Sequence, residues 1–395
     1  MQETESIVSL DIHRQEFPGL ANKVYFNFGG QGPLPKAALE AIIDCHNYIQ
    51  HHGPFSIKIN SWLTRRNQIT REAIANILGT TSKNITLTEN VTTGCNIALW
   101  GIDWKPNDQI LITDCEHDGI IAIVNEISRR FQVEVVTLPI LATLNEGNAL
   151  KVIEENITPK TRLLVLSHVL WNTGEVLPLE DIIKLCHNFD SHYIPVLVDG
   201  AQSVGSLPLN FDELEADFYA FTGHKWLCGP VGVGGLYVHP KMFDKINPTF
   251  IGWRGVITDE KNYPIGWTNT GERFEIATSS YPQYEGLKGA ITILEEWGDA
   301  QKRYERICYL SAYLWEKLTQ IDHINCLKNS PPKSGLVSFQ IKNKHDSHLQ
   351  LVKSLEDKGF LVRKIADPNC IRACVHYFTL ETEIDNLIDC IKTML

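Results

Sequence analysis

Residues 194–225 read IPVLVDGAQSVGSLPLNFDELEADFYAFTGHK, and this stretch decides the fold. The run 194–198 is continuously apolar, as a strand buried on both faces of a parallel sheet is, and Asp199 ends it. A second run, 218–221, stops at Thr222, His224 and Lys225. Working outward, 84–88, 109–113, 133–138 and 162–168 are predicted strands. Between them a helix opens at Thr92. A second carries Ile120, Val124, Ile127 and Phe131 on one face, and a third, after Pro178, carries Ile182, Ile183, Leu185 and Cys186. Repeated strand–helix alternation predicts an α/β domain with a mainly parallel sheet. The run 233–238 follows 218–221 with little between them.

Beyond Tyr281 the pattern changes. One long helical region is expected from Tyr284 to about Ile321, then strands at 336–341, 360–363 and 370–375 around a helix at 347–358. Thr379 is the expected N-cap of a last helix whose apolar stripe is Ile384, Leu387, Ile388 and Ile391. The expected organisation is a large domain over 23–280, then a linking helix and a smaller α+β domain over 281–395. The segment 1–22 is expected to pack on the small domain.

The chain has 395 residues, with 36 Lys plus Arg against 47 Asp plus Glu, a net charge of −11. So acidic a chain is a poor partner for nucleic acid or an anionic membrane surface. The start carries acids and no apolar core, unlike a secretory signal, and no apolar run is long enough to span a bilayer. Ten cysteines without a CxxC pair suit reduced thiols in the cytoplasm and give no pattern for a metal.

Ligands of open α/β sheets bind at the carboxyl ends of the strands. The polar residues expected there are Thr92, Thr93, His117, Trp171, Asn172, Asp199, Gln202, Thr222, His224 and Lys225. Singly, each has an ordinary role: a solvated loop lysine, an acid or threonine capping a helix, a satisfied histidine. Together they contain what pyridoxal phosphate (PLP) requires. That is a lysine for covalent attachment, an acid for the pyridine nitrogen, and hydroxyls at a helix N-terminus for the phosphate. The glycine-rich GPVGVGG at 229–235 is not GxGxxG and does not open a βαβ unit, so a nicotinamide site is discounted.

The pair DGAQS (199–203) and TGHKWLCGPVGVG (222–234), with NVTTGCN (90–96), EHDG (116–119) and IRACVHYFTLETEIDNL (371–387), resembles the class V aminotransferase family. This is the cysteine desulfurase-like branch of the fold-type I PLP enzymes. The resemblance implies that Lys225 binds the cofactor covalently, Asp199 pairs with its ring nitrogen, Gln202 reaches its phenolic oxygen and His117 stacks on the ring. It assigns Thr92, Thr93, Thr222 and His224 to the cofactor cradle. It also implies a homodimer in which Thr278, in FEIATSS (274–280), reaches the partner's phosphate, and it gives Arg372 to the substrate carboxylate. Arg363 is a second candidate. Trp171 falls where the family carries asparagine, with Asn172 one place on, and either residue is open as the cofactor contact.

Only eight residues, KIADPNCI, separate Arg363 from Arg372, where cysteine desulfurases carry a mobile loop with a sulfur-attacking cysteine. Without that loop the expected reaction is β-elimination on cystine, and more weakly on cysteine, giving pyruvate, ammonia and a persulfide or sulfide. Supply of sulfur to iron–sulfur clusters is an expected use, and Trp253 and His224 are expected on the sulfur side. The alternatives are a cysteine desulfurase using Cys370 or another thiol, an epimerase of the penicillin-pathway type, and a non-catalytic partner protein with the same fold.

Overall fold

The structure, a computed structural model, describes residues 9–190, 192–342 and 347–395. Its strands in chain order are β1 (Val24–Tyr25), β2 (Ile85–Thr88), β3 (Gln109–Thr113), β4 (Glu134–Leu138) and β5 (Thr161–Ser167). They continue with β6 (Val196–Asp199), β7 (Phe218–Thr222), β8 (Gly234–Val238), β9 (Val256–Thr258) and β10 (Pro264–Trp267). The last are β11 (Ile324–Cys326), β12 (Leu336–Ile341), β13 (Phe360–Leu361), β14 (Arg363–Ile365) and β15 (Cys370–Cys374).

Seven of these form the main sheet in the order β2-β8-β7-β6-β5-β3-β4. Only β8 runs against its neighbours, so the sheet is mixed but mainly parallel, as expected for the fold-type I class. Side chains alternate between two cores. Leu111, Leu164, Leu166, Val196 and Val198 meet the helices Ala149–Asn156, Leu179–His187 and Tyr281–Trp297 on one face. Ile110, Ile112, Leu163, Val165 and Leu197 meet the helices Val91–Gly101 and Asp118–Phe131 on the other. Burial on both faces explains why these strands read as unbroken apolar runs.

A second sheet, β11-β12-β15-β14, is antiparallel and packs its own core of Phe339, Leu355, Ile371 and Ile384 against helices Ala300–Thr319, His348–Asp357 and Glu381–Met394. β1 pairs in parallel with β13, and Phe17 stacks on Phe378. We therefore propose a division into a large unit ending near residue 280 and a C-terminal unit, with the segment from residue 9 to Phe26 lying on the latter.

Three local readings need correction. The expected single helix over 284–321 is two helices, because Asp299 accepts the Lys302 N–H and starts the second at Ala300. Thr379 is not the last N-cap: its hydroxyl accepts the His376 N–H, while Glu383 reaches back to the Leu380 N–H. Asn90, not a threonine, caps the helix Val91–Gly101.

Candidate active site

The carboxyl ends of β2, β3, β5, β6 and β7 open into one cavity of about 560 Å³. It brings together Thr92, Thr93, His117, Asp199, Gln202, Thr222, His224, Lys225, Arg363 and Arg372. Trp171 lines it as well, whereas Asn172 does not: the Asn172 amide turns away and donates to the Asp367 carbonyl at 3.3 Å. The sequence left these two open, and the geometry favours Trp171, whose ring meets His117 edge-on with centroids 5.7 Å apart. Trp253 and Thr278 also lie outside the cavity of their own chain, together on a separate groove.

Lys225 lines this cavity half-buried, and desolvation lowers its ammonium to a pKa of about 8; Arg372 and Arg363 push it further down while Asp199 opposes them. An amine so placed is substantially neutral just above neutral pH, the form that attacks a carbonyl. Asp199 is held by the Ala201 N–H at 2.8 Å, yet burial raises its carboxyl above the ordinary range. A cationic N–H beside it would supply the counter-charge that a dry carboxylate needs.

At the helix start, Asn90 Oδ1 accepts from the Thr93 N–H and hydroxyl at 3.0 and 3.3 Å. Thr92 keeps its hydroxyl free of protein partners among the described residues. Thr222 and His224 share a hydrogen bond of 2.6 Å, and burial lowers His224 to about 4, so its imidazole is neutral. A helix N-terminus flanked by hydroxyls and a neutral imidazole is a receptor for phosphate. His117 accepts the Gly119 N–H on Nδ1, which leaves Nε2 as the protonated ring nitrogen. Gln202 spans two segments, donating to the Gly29 carbonyl and accepting from Trp226 Nε1. Its second amide hydrogen remains for a ligand oxygen. This donor set fits PLP at every functional group.

Arg363 and Arg372 stand opposite each other in the β14–β15 register. Arg372 is buried, donates to the Trp171 carbonyl at 2.6 Å and leaves its Nε without a partner. Neither arginine has a carboxylate partner among the described residues. Two unpaired guanidinium groups above the lysine form a receptor for a carboxylate.

The sequence reading missed Gly29, Gly30 and Ser167 in the cavity wall. The signal was the Gly-Gly pair that follows Phe28. A Cβ on Gly29 would stand 2.8 Å from Arg372 Cζ, so only glycine lets the guanidinium pass. Gly29→Ala is expected to raise KM for amino-acid substrate roughly tenfold, about 1.4 kcal/mol, with little change in PLP affinity. Steady-state kinetics beside a PLP titration of apo-protein check this, and equal losses in both would contradict it.

The family model for class-V aminotransferases matches residues 24–385. Among solved structures, a lysine-to-alanine mutant of C-DES with glycine covalently linked to its PLP cofactor superposes with a TM-score of 0.94. It is 51% identical, covering 96% of this chain and 98% of that one. The cystine C-S lyase C-DES, in complex with its reaction product cysteine persulfide, gives 0.93 at 51% identity over 95% and 99% of the two chains. A curated cysteine desulfurase from Haloferax volcanii is 25% identical over 97% of this chain and 96% of its own length. With the profile spanning nearly its whole length, the chain belongs to the class-V aminotransferase family.

Proposed function

We propose that the chain is a PLP-dependent carbon–sulfur lyase that β-eliminates L-cystine, and L-cysteine more weakly. The observation that carries this reading is a cavity holding Lys225, Asp199 and two unpaired arginines, with no cysteine among its described lining residues. The likeness to the C-DES structures at 51% identity supports it.

Lys225 would attach the cofactor, Asp199 would hold a proton on its ring nitrogen, His117 and Trp171 would flank the ring, and Thr92, Thr222 and His224 would bind the phosphate. When bound, PLP supplies a sink for the electron pair left at the substrate Cα. Arg372 binds the α-carboxylate and orients the Cα–H toward Lys225. The Lys225 amine, its pKa lowered to about 8, would take that proton. The Cβ–S bond breaks, its electron pair leaves on sulfur as cysteine persulfide, and water converts the three-carbon fragment to pyruvate and ammonium. A persulfide is a weaker base than a thiolate, which is why cystine should outpace cysteine.

Trp253 and Thr278 share one groove, and Phe55, Ile57, Phe250, Ile251 and Ile265 are largely exposed apolar side chains. We assign this face to a homodimer in which each chain lends Thr278, and Trp253 beside it, to the partner's cavity. The ten cysteines are all free, which suits a reducing cytoplasm, and no helix among the described residues is long and apolar enough to cross a membrane. The persulfide product suits supply of sulfur to an iron–sulfur acceptor.

Cysteine desulfurase is the second reading, favoured by the curated relatives. It requires a thiol that reaches substrate. Cys370 instead lies buried in β15, its Sγ 3.9 Å from the Asn172 carbonyl and burial pushing its thiol up to about 12. β14 and β15 pair from Ile365–Cys370 onward, so the link 366–369 is a tight turn.

Holoprotein given cystine should form pyruvate and persulfide in equal amounts, and Cys370→Ala should retain that activity within about twofold, as a buried residue away from the chemistry does. Alanine in place of pyruvate, or loss of sulfur release in Cys370→Ala, would make the protein a desulfurase.

A further inference from the structure

Glu116 is a fully buried carboxyl that the chemistry above does not use. It hangs between two strand ends. Its Oε1 accepts from the Thr113 hydroxyl at 2.6 Å and from the Ser167 N–H at 2.8 Å, and its Oε2 accepts from the Ser167 hydroxyl at 2.7 Å. Ser167 lines the cavity and is the direct β5–β6 register partner of Asp199. Glu116 also immediately precedes His117. It has no ion pair among the described residues; the ionisable groups facing it are Asp199, the thiols Cys95 and Cys115, and Asp114 beyond the latter.

We propose that Glu116 is a positioning residue for the Asp199 end of the cavity, fixing Ser167 and setting by its own protonation how firmly Asp199 retains a cationic ring nitrogen. Two carboxyls in one dry region cannot both ionise freely, and each affects the other's proton. Burial, opposed by the three hydrogen bonds and reinforced by Asp199, brings Glu116 to about 7. Below that pH Glu116 is neutral, and an Asp199 carboxylate paired with the ring nitrogen would be the single negative charge there. Above it a second negative charge lies behind Asp199, and a protonated ring nitrogen relieves their repulsion. The grip of the protein on the cofactor ring therefore tightens as pH rises through 7.

The proposal rests on the PLP assignment, and its test separates the two. Glu116→Gln keeps an oxygen for Thr113 and the Ser167 N–H, offers an N–H to the Ser167 hydroxyl, and carries no charge. The dissociation constant of PLP from apo-protein is measured by tryptophan fluorescence quenching from pH 5.5 to 8.5 for variant and wild type. Their ratio cancels the titrations of PLP and Lys225. It should be near one at pH 5.5 and rise to about tenfold weaker binding by the variant at pH 8.5, one pK unit of coupling.

Apo-protein melts give an independent reading. A carboxyl whose folded pKa is raised loses stability as pH rises through it. Wild type should therefore lose melting temperature relative to Glu116→Gln from about pH 5 to 7 and level off above that. Ser167→Ala removes the hydroxyl hydrogen bond to the ionised form while keeping the one from the backbone N–H, and should move both inflections to higher pH. A ratio that stays flat with pH overturns the proposal, including where the melts do differ, since Glu116 then titrates without coupling to the cofactor. If Glu116→Gln does not fold, an unmoved inflection in Ser167→Ala overturns it. Wild-type apo-protein that takes up no PLP would overturn the cofactor assignment itself.

Discussion

Lys225→Ala is expected to lose pyruvate formation from cystine by at least about 10³-fold, the upper part of the range for removing a positioned general base. The loss is large because one amine has two duties, attaching the cofactor and moving the Cα proton, and no neighbour replaces it. His224 is neutral and tied to Thr222, and the two arginines cannot accept a proton at any working pH. A coupled assay for pyruvate measures the rate, and borohydride reduction followed by peptide mass analysis should place the cofactor on Lys225 in wild type alone. Activity within tenfold of wild type, or label on another lysine, would sink the assignment. The pH dependence has a definite sign. Because burial holds the Lys225 ammonium at about 8, reaction of apo-protein with a small aldehyde should accelerate from pH 6.5 to 8.5 and then level, whereas an exposed lysine would still be gaining above pH 10.

Asp199→Ala carries the second large effect. Breaking a buried charge pair costs about 3–5 kcal/mol, and if that is expressed in the transition state the rate falls roughly 10² to 10⁴-fold. The variant should still bind PLP, because the helix start at Thr92 and the Thr222–His224 pair do not depend on Asp199. Binding should weaken, since Asp199 no longer holds the ring nitrogen, but the loss of rate should be the larger. A variant that keeps normal kcat would show that the ring nitrogen needs no acid here. Asp199→Asn should resemble Asp199→Ala, since an amide fills the space without the charge.

The sheet was legible because buried parallel strands cannot help being apolar on both faces, and the polar residue ending each run then marks the cavity edge. That reasoning reached Asp199, Thr222 and Lys225 from the residues themselves. The direction of β8 was not legible, since 233–238 has the same composition whichever way it runs. Gly29 and Glu116 were missed for different reasons. Gly29 matters for what it lacks, and its neighbour Arg372 lies 343 positions along the chain. Glu116 looks like an ordinary acid at a helix start until Ser167 is placed beside it. Trp253 was expected on the sulfur side, yet within one chain it is an exposed ring on another groove. The sequence of one chain does not say which copy a side chain serves.

The first strand has a consequence for how the molecule matures. β1 lies beside β13, Phe26 accepts the Cys374 N–H at 2.7 Å, Gly32 donates to the His224 carbonyl, and Gly29 nestles under Arg372. β1 thus stays unmatched until β13, 336 positions further along from Val24 to Phe360, has been synthesised. The large sheet can assemble earlier, but the roof of the cavity must wait for β14 and β15, which bring Arg363 and Arg372 over it.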